Sequence, residues 1–318
     1  MENYTYNSQL LQLEGLMVTG DSVYTVFFFF LLSYVLVMIL NMGILVLIAV
    51  DKNLHQPMYM LFCSLPFSDM MGSTHLVPRL LSDLLKPPAE RLIWYHECAL
   101  QAFITQYFGA TSHTILMIMA FDRYVAICNP LHYSSLMTNK MIIKLTVAAW
   151  AVPMVLTGIL IGLSVRLSRC RTVIVNMYCD NASLFKLSCE NIVVNNVYGL
   201  TFTAVLFTSS IGCMVLTYTR IAIVCVTRKN QSVNRKALKT CSTHLVVYLV
   251  MACSGFTIII LHRFPQYSEY KKYFMVLFAV VPVTLNPVIY GLQSKEIRKF
   301  LFELFKSKKR FPLNKNKQ

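Results

Sequence analysis

Long, nearly uncharged apolar runs separated by short polar breaks dominate this chain. Seven can be read, over residues 23–50, 57–85, 95–128, 141–164, 193–227, 239–261 and 273–292. Each reaches the roughly 20 residues that an α-helix needs to cross a bilayer, the longer ones tilting or protruding. Barrel strands would need alternating segments of only about 10 residues. The pattern therefore predicts an all-α membrane protein, a seven-transmembrane helix bundle over residues 23–292 preceded by an exposed N-terminal segment, 1–22. After the last run, Ile297, Phe300, Leu301, Leu304 and Phe305 share one helical stripe flanked by basic residues. That stripe predicts a short amphipathic helix over 293–306 lying on the inner leaflet, with 307–318 a basic disordered tail.

Composition agrees with this reading. The 318 residues are 56% hydrophobic and only 14% charged, with mean hydropathy +0.56, whereas a soluble domain is roughly 25% charged. Residues 1–22 carry Glu2, Glu14 and Asp21 but no Lys or Arg, so they lack the basic region of a cleaved signal peptide and the first helix serves as its own insertion signal. With the N-terminus outside, about two thirds of the 29 Lys and Arg fall on the cytoplasmic side. Arg166, Arg169 and Arg171 run against that bias locally. The expected placement is the plasma membrane, N-terminus extracellular and C-terminus cytoplasmic. The net charge of +15 flanks the spans instead of forming a soluble basic domain, which points to membrane lipids and a cytosolic partner and away from nucleic acid. Two sequons, at Asn3 and Asn181, fall on the outer side. Asn3, in a segment that reads as unfolded, is the better glycosylation site.

Four of the ten cysteines, Cys98, Cys170, Cys179 and Cys189, lie on the outer, oxidising face, where disulfides are expected. Three pairings are open to them. A bond from Cys98 to the long loop before the fifth span would tether that loop across the mouth of the bundle. The other cysteines read as small buried hydrophobes, without the tight spacing of a zinc site.

The polar residues inside the apolar runs carry the chemistry. Asp122, Arg123 and Tyr124 end the third run, where hydrocarbon gives way to water, an arrangement that suits a switch. Asp69 lies mid-span, where a carboxylate costs several kcal/mol unless satisfied. Asn41, Ser112 and Asn286 stand at comparable depth, and the four together could bind water or a small cation. A sodium ion at Asp69 is the one metal or cofactor in view. Pro287 removes a backbone donor, so the segment below it can swing with Tyr290 as its lever. Helical spacing below Cys98 turns Ala102, Thr105, Gln106, Gly109 and Ala110 toward the bundle axis. Facing them are Phe202, Thr203 and Leu206 on the fifth span, Gly255 and Ile259 on the sixth, and Met275 and Ala279 on the seventh. This lining is apolar with few polar handles, which suits a small ligand. No carboxylate stands near Thr105, which disfavours an amine. A transporter or channel would show inverted repeats, paired broken helices or more ionisable lining. An intramembrane enzyme would need paired acids or metal-spaced histidines; Asp69 is expected to be the only buried acid, and no His-x-x-x-His pair is present. The protein is expected not to be an enzyme.

Seven spans, the Asp122-Arg123-Tyr124 end, Asp69 at mid-membrane and Asn286-Pro287-Val288-Ile289-Tyr290 resemble a rhodopsin-type (class A) G-protein-coupled receptor. Leu54-His55-Gln56-Pro57-Met58-Tyr59, the stretch from Met119 to Tyr133, Thr217-Tyr218 and the stretch from Lys236 to Leu245 resemble the signatures of the odorant (olfactory) receptors. The resemblance covers nearly the whole chain. It implies a small odorant ligand, a heterotrimeric G protein with a stimulatory, olfactory-type alpha subunit, and a rise in cyclic AMP. It implies disulfides Cys98–Cys179 and Cys170–Cys189 and a short third cytoplasmic loop over 228–235. It also implies that Asp122 holds Arg123 at rest and that Tyr218 and Tyr290 support Arg123 once it is released to the G protein. Phe121 stands where the family usually has Tyr, Ser112 where a glutamate is common, and Leu40 where glycine usually precedes Asn41. The middle of the sixth span offers Ala252 and Cys253 in place of the usual aromatic.

Overall fold

A computed structural model describes residues 6–16, 18, 20, 22–227, 231–262, 264 and 268–293, without the side chains of 53, 231–237, 239–240, 262, 268–269, 271, 279 and 290–293. In chain order the elements are β1 (Leu10–Leu13), α1 (Ser22–Val50), α2 (Pro57–Phe62), α3 (Ser64–Leu84), β2 (Leu92–Trp94), α4 (Tyr95–Cys128), α5 (Tyr133–Leu136), α6 (Asn139–Val165), β3 (Val173–Ile174), α7 (Asn181–Lys186), α8 (Val193–Thr227), α9 (Gln231–His262) and α10 (Ser268–Gln293). Asn3, the expected helix beyond 293 and the tail lie outside the described residues, as do the side chains of Ala279 and Tyr290.

Seven long segments form the bundle, with α2 and α3 together making the second. Among the described residues five helices are individually long and apolar enough to cross a membrane, and α4 counts as a sixth when taken with the segment Pro130–Leu136, bent 111° from it. The second segment is more polar, carrying Ser68, Asp69, Ser73, Thr74 and His75 on α3. Its break at Cys63 is local: the residue keeps helical angles (φ −54°, ψ −28°) and its amide bonds the Tyr59 carbonyl at 3.0 Å. Pro66, lacking an N–H, cannot serve the Phe62 carbonyl, which interrupts the ladder there. α4 is the centre of the packing. It touches α3, α6, α8 and α9, while α1 closes the ring against α3 and α10. The main core, including Leu61, Leu65, Ile115, Leu116, Val247 and Tyr248, lies in the half of the bundle that ends at Asp122. The expected loop over 228–235 is shorter than anticipated, because α9 is already helical from Gln231.

Within hydrocarbon a freed carbonyl must find another donor. Pro153, inside α6, removes the donor for Ala149, and Thr114 Oγ1 on α4 donates to that carbonyl at 2.7 Å. Pro287, inside α10, does the same to Val283, whose carbonyl accepts from Asn41 Nδ2 at 3.3 Å. Each bond ties a helix, at the place where its proline breaks the ladder, to a neighbouring helix.

The other end of the bundle carries a lid. Residues 1–22 were expected to be exposed and without structure, yet Leu10–Leu13 forms the central strand of a three-stranded sheet, order β2-β1-β3. Leu11 pairs with Ile93 and Gln12 with Val173. Alternation decides this: Leu11 and Leu13 are buried while Leu10 and Gln12 are not. Gly15, at φ +72°, follows the strand, and a Cβ there would come within 2.7 Å of Arg91 Nη1, so only glycine fits. Arg91 donates to the Glu14 carbonyl at 2.7 Å, and Lys272 of α10 pairs with the Glu14 carboxylate at 3.4 Å. Cys98 is bonded to Cys179 and Cys170 to Cys189, with Cα separations of 5.4 and 5.8 Å. The first bond fixes the loop to the start of α4, where the Cys179 N–H also donates to Gln101 Oε1 at 2.8 Å. Asn181, the second outer sequon, is buried in this lid and accepts from Ser164 Oγ at 2.7 Å, so its amide is engaged in packing.

Two outcomes follow from this architecture. Thr114→Val should lower the thermal stability of the detergent-solubilised protein by about 1 kcal/mol by orphaning the Ala149 carbonyl; an unchanged melting curve would contradict the assignment. Cys98→Ser should abolish surface expression, and normal delivery with unchanged responses would refute the tethered lid.

Candidate functional site

Beneath the lid lies a cavity of about 490 Å³, within the range of small-molecule sites. α4 supplies Thr105, Gln106, Gly109, Ala110 and His113. α8 supplies Asn195, Gly199, Thr203, Leu206 and Phe207, α9 supplies Gly255 and Ile259, and α10 supplies Phe278. Tyr178, Asp180, Asn181 and Phe185, carried by the loop that Cys179 anchors and by α7, close the top. The walls are mainly apolar, and the polar groups gather near the lid.

Three of the anticipated lining residues lie elsewhere. Ala102 is fully buried beside the Cys98–Cys179 bond, packed with Leu184 and Leu187. Phe202 packs against Leu160 and Ala110, one position off the stripe Gly199, Thr203 and Leu206 that faces the cavity. Met275 is held by Phe30, Leu76 and Tyr178, and the cavity-facing residue of α10 is Phe278, one turn further on. Helical spacing sets which residues share a face; packing against the neighbours sets how that face is turned. His113 continues the stripe of Gln106, Gly109 and Ala110, so the same periodicity reaches it. Tyr178 and Asp180 carry no such signal, since a disulfide-bound loop brings them in.

Asp180 corrects the expectation that no carboxylate borders this space. It is nevertheless committed as the N-cap of α7, accepting from the Ser183 N–H at 2.7 Å and the Ser183 hydroxyl at 2.6 Å. The neighbouring Tyr178 phenol is pushed well above its ordinary range by burial and by Asp180, so it stays a neutral donor.

A second cavity of about 90 Å³ adjoins the first, sharing Thr105, Gly109, Tyr178 and Phe278. Ser68, Asp69, Ser73, Ser112 and Asn286 line it. Asn286 Nδ2 donates to Asp69 Oδ2 at 2.8 Å. Ser112 donates to its own helix, to the Phe108 carbonyl at 3.0 Å. Asn41 stands apart from this cavity, its amide spent on the carbonyls of Val37 and Val283. A carboxylate, three hydroxyls and an unpartnered Asn286 Oδ1 are hard oxygen donors, a set that fits a small cation. Among the described residues no group of three or more His, Cys, Asp or Glu is placed to hold a metal.

At the far end of α4, Arg123 Nη2 lies 3.1 Å from Asp122 Oδ2, and the Tyr133 hydroxyl of α5 donates to Asp122 Oδ1 at 2.8 Å. Burial and the adjoining Asp122 push the Tyr133 phenol up, which keeps it a donor. Tyr218 of α8 is hydrogen-bonded to His244 Nδ1 of α9, and Arg123 is within electrostatic reach of both. His244 falls inside the Lys236 to Leu245 motif, but its bond to Tyr218 joins two spans and was not legible from either. Tyr124 packs with Ile127, Cys128 and Tyr218 around Ile221 and Cys241.

The sequence profile described as olfactory receptor matches residues 30–308. The human protein olfactory receptor 52N4 is 31% identical over 308 residues, covering 93% of each chain. Human olfactory receptor 4E1 is 33% identical over 311 residues, covering 97% of this chain and 96% of its own. Human olfactory receptor 52P1 is 33% identical over 273 residues, covering 84% of both.

The larger cavity is tight enough for a single side chain to matter. Thr105→Leu, which thrusts extra carbons into it, should weaken any ligand bound there by about tenfold. A potency unchanged for every ligand would show that the cavity is not the binding site.

Proposed function

The chain belongs to the olfactory receptor family, and on that premise we propose that it binds a small odorant in the larger cavity and activates a heterotrimeric G protein of the stimulatory, olfactory type, raising cyclic AMP. It is a multi-pass membrane protein of that family. On the proposed reading the lid end is extracellular and Arg123 faces the cytoplasm. The observation that carries the reading is the axial order of one cavity and two polar centres. A largely apolar cavity lies under the lid, the Asp69–Asn286 bond lies below it, and the Asp122–Arg123 pair stands at the opposite end.

An odorant that binds one arrangement of the bundle more tightly than the other shifts the balance between them by that difference in affinity. α10 is the element that can respond. Its kink at Pro287 is held to α1 through Asn41 and to α3 through Asn286 and Asp69. Rearrangement of α10 and α9 parts Tyr218 from His244, frees Arg123 from Asp122, and leaves the guanidinium for the terminal helix of the G protein's alpha subunit. Tyr124, Tyr218 and Tyr290 serve that end, and Pro287 serves the hinge. Asp69, with the hydroxyls of Ser68, Ser73 and Ser112 and the Asn286 carbonyl oxygen, would hold a sodium ion. Its charge offsets that of the carboxylate.

Cells expressing the chain should raise cyclic AMP in response to members of an odorant panel, and Arg123→Ala should abolish the response without reducing surface amount. Odorant-evoked currents that survive that substitution without any G protein would overturn the proposal. Odorant potency should also vary with sodium concentration in the parent and lose that dependence in Asp69→Asn; sodium-independent potency in both would reduce the smaller cavity to packing.

A further inference from the structure

We propose that Phe278 is the ligand-sensing residue of this receptor, its ring forming the partition between the two cavities and moving α10 when a bound molecule presses on it. This rests on the odorant-receptor reading above and adds to it the means by which occupancy is felt. Five observations carry it.

The ring borders both spaces, the larger cavity under the lid and the smaller one around Asp69. It lies between bare backbone on two helices: a Cβ added at Gly255 of α9 would stand 3.5 Å from Phe278 Cε2 and 3.3 Å from Phe207 Cζ, and one added at Gly109 of α4 would stand 4.0 Å from Phe278 Cζ. The absence of side chains at those glycines leaves the ring room to shift. Its backbone is also one of two weak points of α10, because Pro282, four residues on and inside the helix, has no N–H to offer the Phe278 carbonyl. Eight residues, or about two turns, further along, Asn286 donates to Asp69. Pressure on the ring therefore acts on the helix that carries the hinge. The middle of α9, with Ala252 and Cys253, brings no large ring to this partition, and Phe278 takes that place from α10.

The ligand class follows from the position. An effective ligand is a neutral, mainly apolar molecule long enough for its inner end to touch Phe278, and shorter homologues occupy the cavity without activating.

The test measures cyclic AMP per receptor at the surface, with and without straight-chain aliphatic alcohols and aldehydes of graded length. Gly255→Ala takes away the free space beside Phe278, setting a Cβ 3.5 Å from its ring and a tighter 3.3 Å from Phe207 Cζ, so its ligand-free output should rise roughly fivefold, an effect of the size that overpacking has on a two-state balance. Phe278→Trp fills the same space from α10 and should raise it too, which keeps the test decisive if Gly255→Ala fails to reach the surface. Gly255→Ala combined with Phe278→Ala should return to the parent level. A double variant as active as Gly255→Ala, or no rise in either enlarged variant while the parent still answers odorants through Arg123, overturns the sensor and leaves the receptor reading standing. Silence of the parent and of every variant, Arg123→Ala behaving identically, overturns both.

Discussion

Hydrocarbon offers no hydrogen bonds, and most of the internal structure of this bundle answers to that constraint. Polar atoms in the spans therefore turn to the protein for partners, and where the partner lies on another helix the bond becomes a tie whose geometry is specific. Thr114 serves the carbonyl that Pro153 frees, Asn41 serves the one that Pro287 frees, and Asn286 serves Asp69. Apolar contacts between membrane helices are weakly directional, because lipid tails compete with side chains for the same surfaces. The polar ties therefore fix which helices touch and at what height. Two of them meet on α10, the helix that also carries Pro282 and Pro287.

The lid obeys the opposite rule, since water surrounds it. There covalent bonds and strand pairing do the fixing: two disulfides, a three-stranded sheet, and Arg91 and Lys272 gripping the residues around Glu14. Lys272 belongs to α10, so the helix that bears the hinge is tied to the lid as well. A cavity closed by a stiff lid above and a jointed helix at its side can convert the size of a bound molecule into displacement along one element.

The parts legible in the sequence were those set by local physics. Seven apolar runs gave the bundle because span length and hydropathy are properties of short stretches. Thr105, Gln106, Gly109 and Ala110 were found because one helical stripe carries them all. Ala102, Phe202 and Met275 were misjudged because the roll of a helix about its axis depends on neighbours that periodicity does not report. β1 escaped notice because four residues with two buried leucines hardly differ from a polar tail until β2 and β3 are beside them. Tyr178 and Asp180 reach the cavity only through the Cys98–Cys179 bond, and the Tyr218–His244 contact joins helices that no local pattern relates.

On the proposed reading, occupancy of the larger cavity is read at Arg123 by a G protein. The most direct test uses the receptor purified into lipid nanodiscs with a purified stimulatory heterotrimer, following guanine-nucleotide exchange on the alpha subunit as odorant is added. Odorant should accelerate exchange on the alpha subunit, and filling the cavity with Thr105→Leu should blunt the effect. Odorant that binds in the cavity, shown by displacement of a labelled ligand, yet leaves the exchange rate unchanged would contradict it.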